Sequence, residues 1–168
     1  TRQRAVSKFV PAEDLIVPYS ASDLRTAERY THVVRMTEND IRKLQVGGVY
    51  RDVDLSPTED EESDSTIRGK ADELQGLRPG YSDEVYTLHE IHVDLDLEGF
   101  EDMDQMGEPT GIKLPYIVTM GADSGKVLSV VRNYREVDPM RRKRDFFVHF
   151  KFLPGFGFYG FGLLHMIG

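Results

Sequence analysis

VYTLHEIHVDLDL, residues 85–97, decides the fold class. Val85, Thr87, His89, Ile91, Val93, Leu95 and Leu97 fall on one side of a period-two pattern. Tyr86, Leu88, Glu90, His92, Asp94 and Asp96 fall on the other. Alternation over that length predicts one long strand with a mostly apolar face. Downstream, KLPYIVTM and KVLSVVRNY flank the turn GADSG at 121–125, a hairpin with suitable Gly and Asp chemistry. FFVHFKFL repeats the alternation, with Phe147, His149 and Lys151 on one face. Strands are therefore expected over 85–97, 114–120, 127–134 and 146–152. The fold class is α+β, mainly antiparallel β-sheet with a few short helices.

Working back toward the start, THVVRM (31–36) has the β-branched run of a short strand. Thr37 with Asp40 three residues on opens a helix over 37–46, and Gly47–Gly48 ends it. Ser20 with Asp23 three residues on predicts a second short helix over 21–28. Pro11 and Pro18 break the first segment into short extended pieces. Residues 56–80 are rich in Asp, Glu, Ser and Gly, and composition of this kind supports little burial. A long flexible acidic loop is expected there. Residues 155–168 read as the start of a truncated helix after a Pro-Gly turn, and the apolar ending predicts that the chain is a piece of a longer protein.

The chain has 168 residues, fitting one domain, with 21 basic and 29 acidic side chains and a net charge of −8. That acidity argues against generic nucleic-acid binding, which leaves a basic footprint. The absence of cysteine excludes disulfide frameworks, thiol nucleophiles and cysteine zinc sites. The uncharged end beyond Phe152 is broken by Pro154–Gly155 and is too short for a span of about 20 apolar residues.

Motifs that touch on chemistry are incomplete. LHEIH (88–92) places its histidines at i and i+3 on a strand, where His89 and His92 point to opposite faces, whereas the zinc motif needs i and i+4 on a helix. DLDLEG (94–99) begins like a calcium loop, but the twelfth position is Gln105 in place of a bidentate carboxylate. GADSGKV (121–127) is one residue short of a phosphate loop and has Val127 where the hydroxyl belongs. No catalytic, cofactor-binding or metal-binding residue is assigned, and no cofactor is expected. RRKR, residues 141–144, is the one basic cluster. Arg141, Arg142, Lys143 and Arg144 are the candidate subunit-interface residues. They are expected to face acidic surface near 94–108 or 54–73 of a neighbouring copy, because charge segregation favours complementary contact.

FVPAEDLIVPYSASDLRTAERYTHVVRMTENDIRKLQVGGVYRDVDL (9–55) resembles the portal proteins of tailed bacteriophages, of podovirus type. In that family a proline-acid strand precedes a short A-x-D/S-L-x-x-A turn, a strand bearing H-x-x-R-M, and a helix opened by Thr and closed by Gly. LPYIVTMGADSGKVLSVVRNYREVDPMRRKRDFFVHFKFL (114–153), with the apolar run after it, is similar to the strand-rich stretch before the family's stem. The resemblance implies a non-enzymatic structural subunit, part of the wing region of a longer portal protein. It implies a homo-oligomeric, typically dodecameric, ring at one capsid vertex of the virion, assembled in the host bacterial cytoplasm. Capsid and scaffolding proteins would be partners, terminase and tail-adaptor contacts would lie outside this piece, and packaged and ejected DNA would pass without sequence-specific binding. Two alternatives remain: a metal-dependent hydrolase using Asp94, Asp96, His89 or His92, and another ring-forming phage structural protein.

Overall fold

Five strands pair in chain order to form one antiparallel sheet, β1-β2-β3-β4-β5, in a computed structural model that describes residues 6–55, 85–151, 153, 155 and 157–160. The strands are β1 (Leu15–Ile16), β2 (Arg29–Thr37), β3 (Val85–Leu95), β4 (Leu114–Gly121) and β5 (Val127–Arg132), and helix α1 (Glu38–Val46) follows β2. In the β1–β2 register Leu15 faces His32 and Ile16 faces Thr31. The mainly β, α+β class is as the alternation predicts. By contact density the chain divides into two compact units: Thr1–Val33, Glu90–Val118 and Val130–Gly168 form the first, and Val34–His89 with Thr119–Ser129 the second.

The second unit holds α1. The Thr37 hydroxyl accepts the Asp40 N–H at 3.3 Å and donates to the Asp40 carboxylate, so two polar groups at the helix start are satisfied together. Gly48 sits at φ +71°, a left-handed position that glycine takes without a Cβ penalty, and this releases the chain from the helix. Residues after it are tied down by polar bonds. Gln45 Nε2 donates to the carbonyls of Arg51 and Val53, and the Arg51 N–H donates to the Leu128 carbonyl. This brings Tyr50, Val53 and Leu55 against a core of Ile41, Tyr86, Leu88 and Leu128. The 121–125 turn closes with the Gly121 N–H on the Lys126 carbonyl and Gly125 at φ +64°.

The first unit has two cores. Leu15, Ala21, Leu24, Ala27, Tyr30 and Phe158 form one; Leu114, Tyr116 and Tyr134, joined by Leu95 and Leu97, form the other. Residues 21–28 are turns rather than the expected helix. The Asp23 carboxylate accepts the N–H groups of Arg25 and Thr26, a local turn that competes with helix propagation. Ala21, Leu24 and Ala27 still reach the core at three-residue spacing.

The predicted strand boundaries hold for β4 to within a residue, while β3 ends at Leu95 and β5 at Arg132. Residues 146–151 enter no ladder, correcting the strand expected over 146–152. One bond, from the Arg144 N–H to the Asn133 carbonyl, leads the segment off the end of β5. Phe147 then packs on the rings of Tyr30, His32 and His92, side chains of one sheet face, so the segment lies over that face instead of extending the ladder. The alternation itself survives: Phe147, His149 and Lys151 are half-buried, and Phe146, Val148 and Phe150 are exposed. On β3 the more buried side carries Tyr86, Leu88 and His92, opposite to the side whose composition is more apolar. The loop expected over 56–80 lies outside the described residues, as does most of the segment 155–168.

Leu88 is 1% exposed at the centre of the second unit. Leu88→Ala should cost between about 2 and 5 kcal/mol of stability, whereas Val85→Ala, at an exposed position on the same strand, should stay within about 0.5 kcal/mol. Urea unfolding midpoints at unchanged slope check both values.

Candidate functional site: a basic turn beside a buried histidine–carboxylate cluster

Within the first unit, strand geometry gathers four polar side chains. Tyr30 and His32 alternate on β2, and Glu90 and His92 alternate on β3, so each pair shares one face. His92 is 1% exposed, and its Nε2 stands 3.0 Å from Glu90 Oε1. His32 Nδ1 approaches the same oxygen at 3.9 Å, an ion-pair distance. The Tyr30 ring stacks on His92 at 4.5 Å, and Phe147 meets Tyr30, His32 and His92 edge-on. His92 Nδ1 has no partner among the described residues. A buried lone pair is the lesser penalty than a buried unpaired N–H, which favours the tautomer whose Nε2–H donates to Glu90.

The electrostatics follow from these contacts. The two imidazoles, His32 foremost and His92 second, hold Glu90 down at about 2, against the burial that would raise it. Burial first, then Asp145 and Glu90, pushes the Tyr30 hydroxyl up to about 12. Such an arrangement clamps β2 to β3 through one carboxylate, and the Phe147 ring packs against the same side chains.

The basic turn begins at Asp138-Pro139. The Asp138 carboxylate accepts the N–H groups of Met140 and Arg142 and the Arg142 Nε at 3.0 Å, and Arg142 in particular holds it below the usual carboxylate range. Arg141 takes a left-handed φ of +48°. Its guanidinium lies over the Tyr134 ring and 3.7 Å from Asp102, contacts that offset this strained conformation. Lys143 reaches inward, with Nζ 5.4 Å from the Tyr30 ring centre and donating to the Leu24 carbonyl. Arg144 lies over Phe146 at 5.1 Å. Together Arg135, Arg142, Lys143 and Arg144, with Asp138 and Asp145, border an open depression of about 640 Å³.

The four predicted interface cations thus part company. Arg141 and Lys143 serve their own chain, and Arg142 and Arg144 face solvent. Arg141 meets the acidic 94–108 stretch in its own chain, at Asp102. That stretch is an ordered turn: the Asp104 carboxylate accepts the N–H groups of Met106 and Glu108, Thr110 bonds Asp102, and Met103 bridges Pro109. Among the described residues no group of three or more His, Asp or Glu is placed to hold a metal ion, so Asp94, Asp96, His89 and His92 are not drawn together. No helix among them is long and apolar enough to cross a membrane. Sequence reasoning missed Tyr30, His32 and Asp138. The Asp-Pro step and the shared phase of Glu90 with His92 were the available signals.

Compared with models of known families, with characterised proteins and with solved structures, the chain matches none. The cluster is therefore tested on its own chemistry. A depressed carboxylate contributes stability that is present above its unfolded value of 4.5 and is lost as pH falls toward 2. With Glu90 a third solvent-reached, that contribution should be about 2 kcal/mol. Chemical denaturation between pH 5 and pH 2 (~) should show the acid-linked loss in the native chain and a shallower loss in Glu90→Gln. Parallel profiles would remove the clamp.

Proposed function

We infer that the chain is a structural subunit of a bacteriophage portal ring, through which DNA is packaged and ejected at one capsid vertex. The observation that carries this reading is the order of elements over 9–55. The resemblance implies strand, short turn, strand bearing H-x-x-R-M, and Thr-opened helix. The chain has β1, the turns of 21–28, β2 with His32, Arg35 and Met36, and α1 capped by Thr37. The 21–28 segment is telling, since the family pattern has a turn where capping chemistry reads as a helix.

The surface chemistry is compatible with a conduit. A net charge of −8 disfavours retention of phosphate, because each phosphate contact adds salt-dependent affinity. In this reading the chain is part of the wing, subunits form a closed ring in the virion after assembly in the bacterial cytoplasm, and no catalytic group is required.

The test is assembly. The protein at its full natural length should give closed rings in negative-stain images and one discrete high-mass species by mass photometry. A species that stays monomeric at every concentration, or that forms only open filaments, would end the portal reading.

A further inference from the structure

The segment after the basic turn presents an outward row that the described chain leaves largely open, with only Phe146 partly covered, by the Arg144 guanidinium over its ring and by His92 beside it. Phe146, Val148 and Phe150 are 53%, 95% and 83% exposed, in register with exposed Arg144 and Arg142. Isolated exposed apolar residues are ordinary, but an alternating row on an extended segment outside any ladder is a surface prepared for contact. Its charge selects the occupant. Arg144 makes no ion pair among the described residues and Arg142 pairs only with Asp138, so the row is apolar at one end and cationic at the other. A matching partner is acidic and apolar together.

The chain itself carries such a surface. In the ordered turn of the first unit Phe100, Met103, Met106 and Ile112 are exposed. Among them stand Glu98 and Glu108, whose carboxylates no described cation pairs. The turn is held by its own Asp104 and Asp102 bonds, so its apolar side chains are presented outward without needing a further partner for order. The Arg141–Asp102 pair is a small instance of the same recognition inside one chain.

We propose that the row Arg142, Arg144, Phe146, Val148 and Phe150 docks the acidic turn around Phe100, Met103 and Met106 of a second copy. Arg142 and Arg144 face the Glu98 and Glu108 carboxylates, and the apolar side chains close the contact. This deepens the ring reading and rests on it for its biological setting, but its chemistry is independent of ring size.

The chain has no cysteine, so introduced thiols report the contact directly. Val148 is 95% and Met106 88% exposed, and Val148→Cys and Met106→Cys should leave the fold intact, which circular dichroism verifies. Mixed under mild oxidation, the two variants should form the V148C–M106C heterodimer in preference to either homodimer. Reversal by Arg142→Glu and Arg144→Glu should lower its yield about tenfold, and adding Glu98→Arg and Glu108→Arg on the other variant should restore it. Predominant V148C–V148C product would mean that the row pairs with itself, and equal random yields would mean no docking; either overturns the proposal. Rings that assemble while the heterodimer fails would sink this interface and spare the portal reading. A heterodimer without rings would do the reverse.

Discussion

Glu90 is the group that the first unit is arranged around. An imidazole as buried as His92 needs an acceptor or a donor at hand, because an unmet polar group in the interior costs about 1–3 kcal/mol. Glu90, two residues away on the same strand face, supplies the acceptor. Once the carboxylate is there, its own burial must be compensated, and His32 across the β2–β3 pair does so. The stack of Tyr30 and the edge-on Phe147 then cover the His92 ring, while Glu90 keeps part of its surface in solvent. The path of 146–151 goes with this packing: Phe147 sits on these rings, and its segment joins no ladder.

Much of this was legible from residue order, and the illegible parts share a cause. The long β3 alternation, the β4–β5 hairpin and α1 with its Thr37 start and Gly47–Gly48 end are local patterns that tertiary contacts reinforce. The buried side of β3 was not legible from composition. Leu88 and His92 are covered because α1, 50–55 and Phe147 land on their face, a fact about remote segments. Residues 21–28 failed as a helix for a different reason. Asp23 has a side chain short enough to bond the next N–H groups whether or not the helix continues. The sequence signal for a cap and for a free-standing turn is the same residue at the same spacing.

The basic run shows the limit of reading charge along a chain. As text, 141–144 is one cluster; in space it divides by direction. Asp138 fixes the turn, the left-handed Arg141 reverses the chain, and alternate cations then point inward to Tyr134 and Tyr30 or outward to solvent. Aromatic rings accept guanidinium and ammonium groups at modest desolvation cost, which lets a cationic run sit partly inside a small unit. The acidic turn obeys the same economy of local bonds: Asp102 and Asp104 are consumed holding backbone N–H and hydroxyl groups, and Glu98 and Glu108 are left over.

What remains outward on the two segments is therefore a residue of local folding, and that residue is complementary. Two copies each carrying −8 repel at long range. At physiological salt that repulsion is confined to a Debye length of about 8 Å, so it governs approach rather than the docked state. Inside that distance, in the proposed contact, the local pairing of Arg142 and Arg144 with carboxylates would set orientation, and the burial of Phe146, Val148, Phe150, Phe100 and Met106 would supply the part of the affinity that salt does not screen. Net negative charge is thus no bar to the proposed self-association, because the long-range term and the contact term act at different distances.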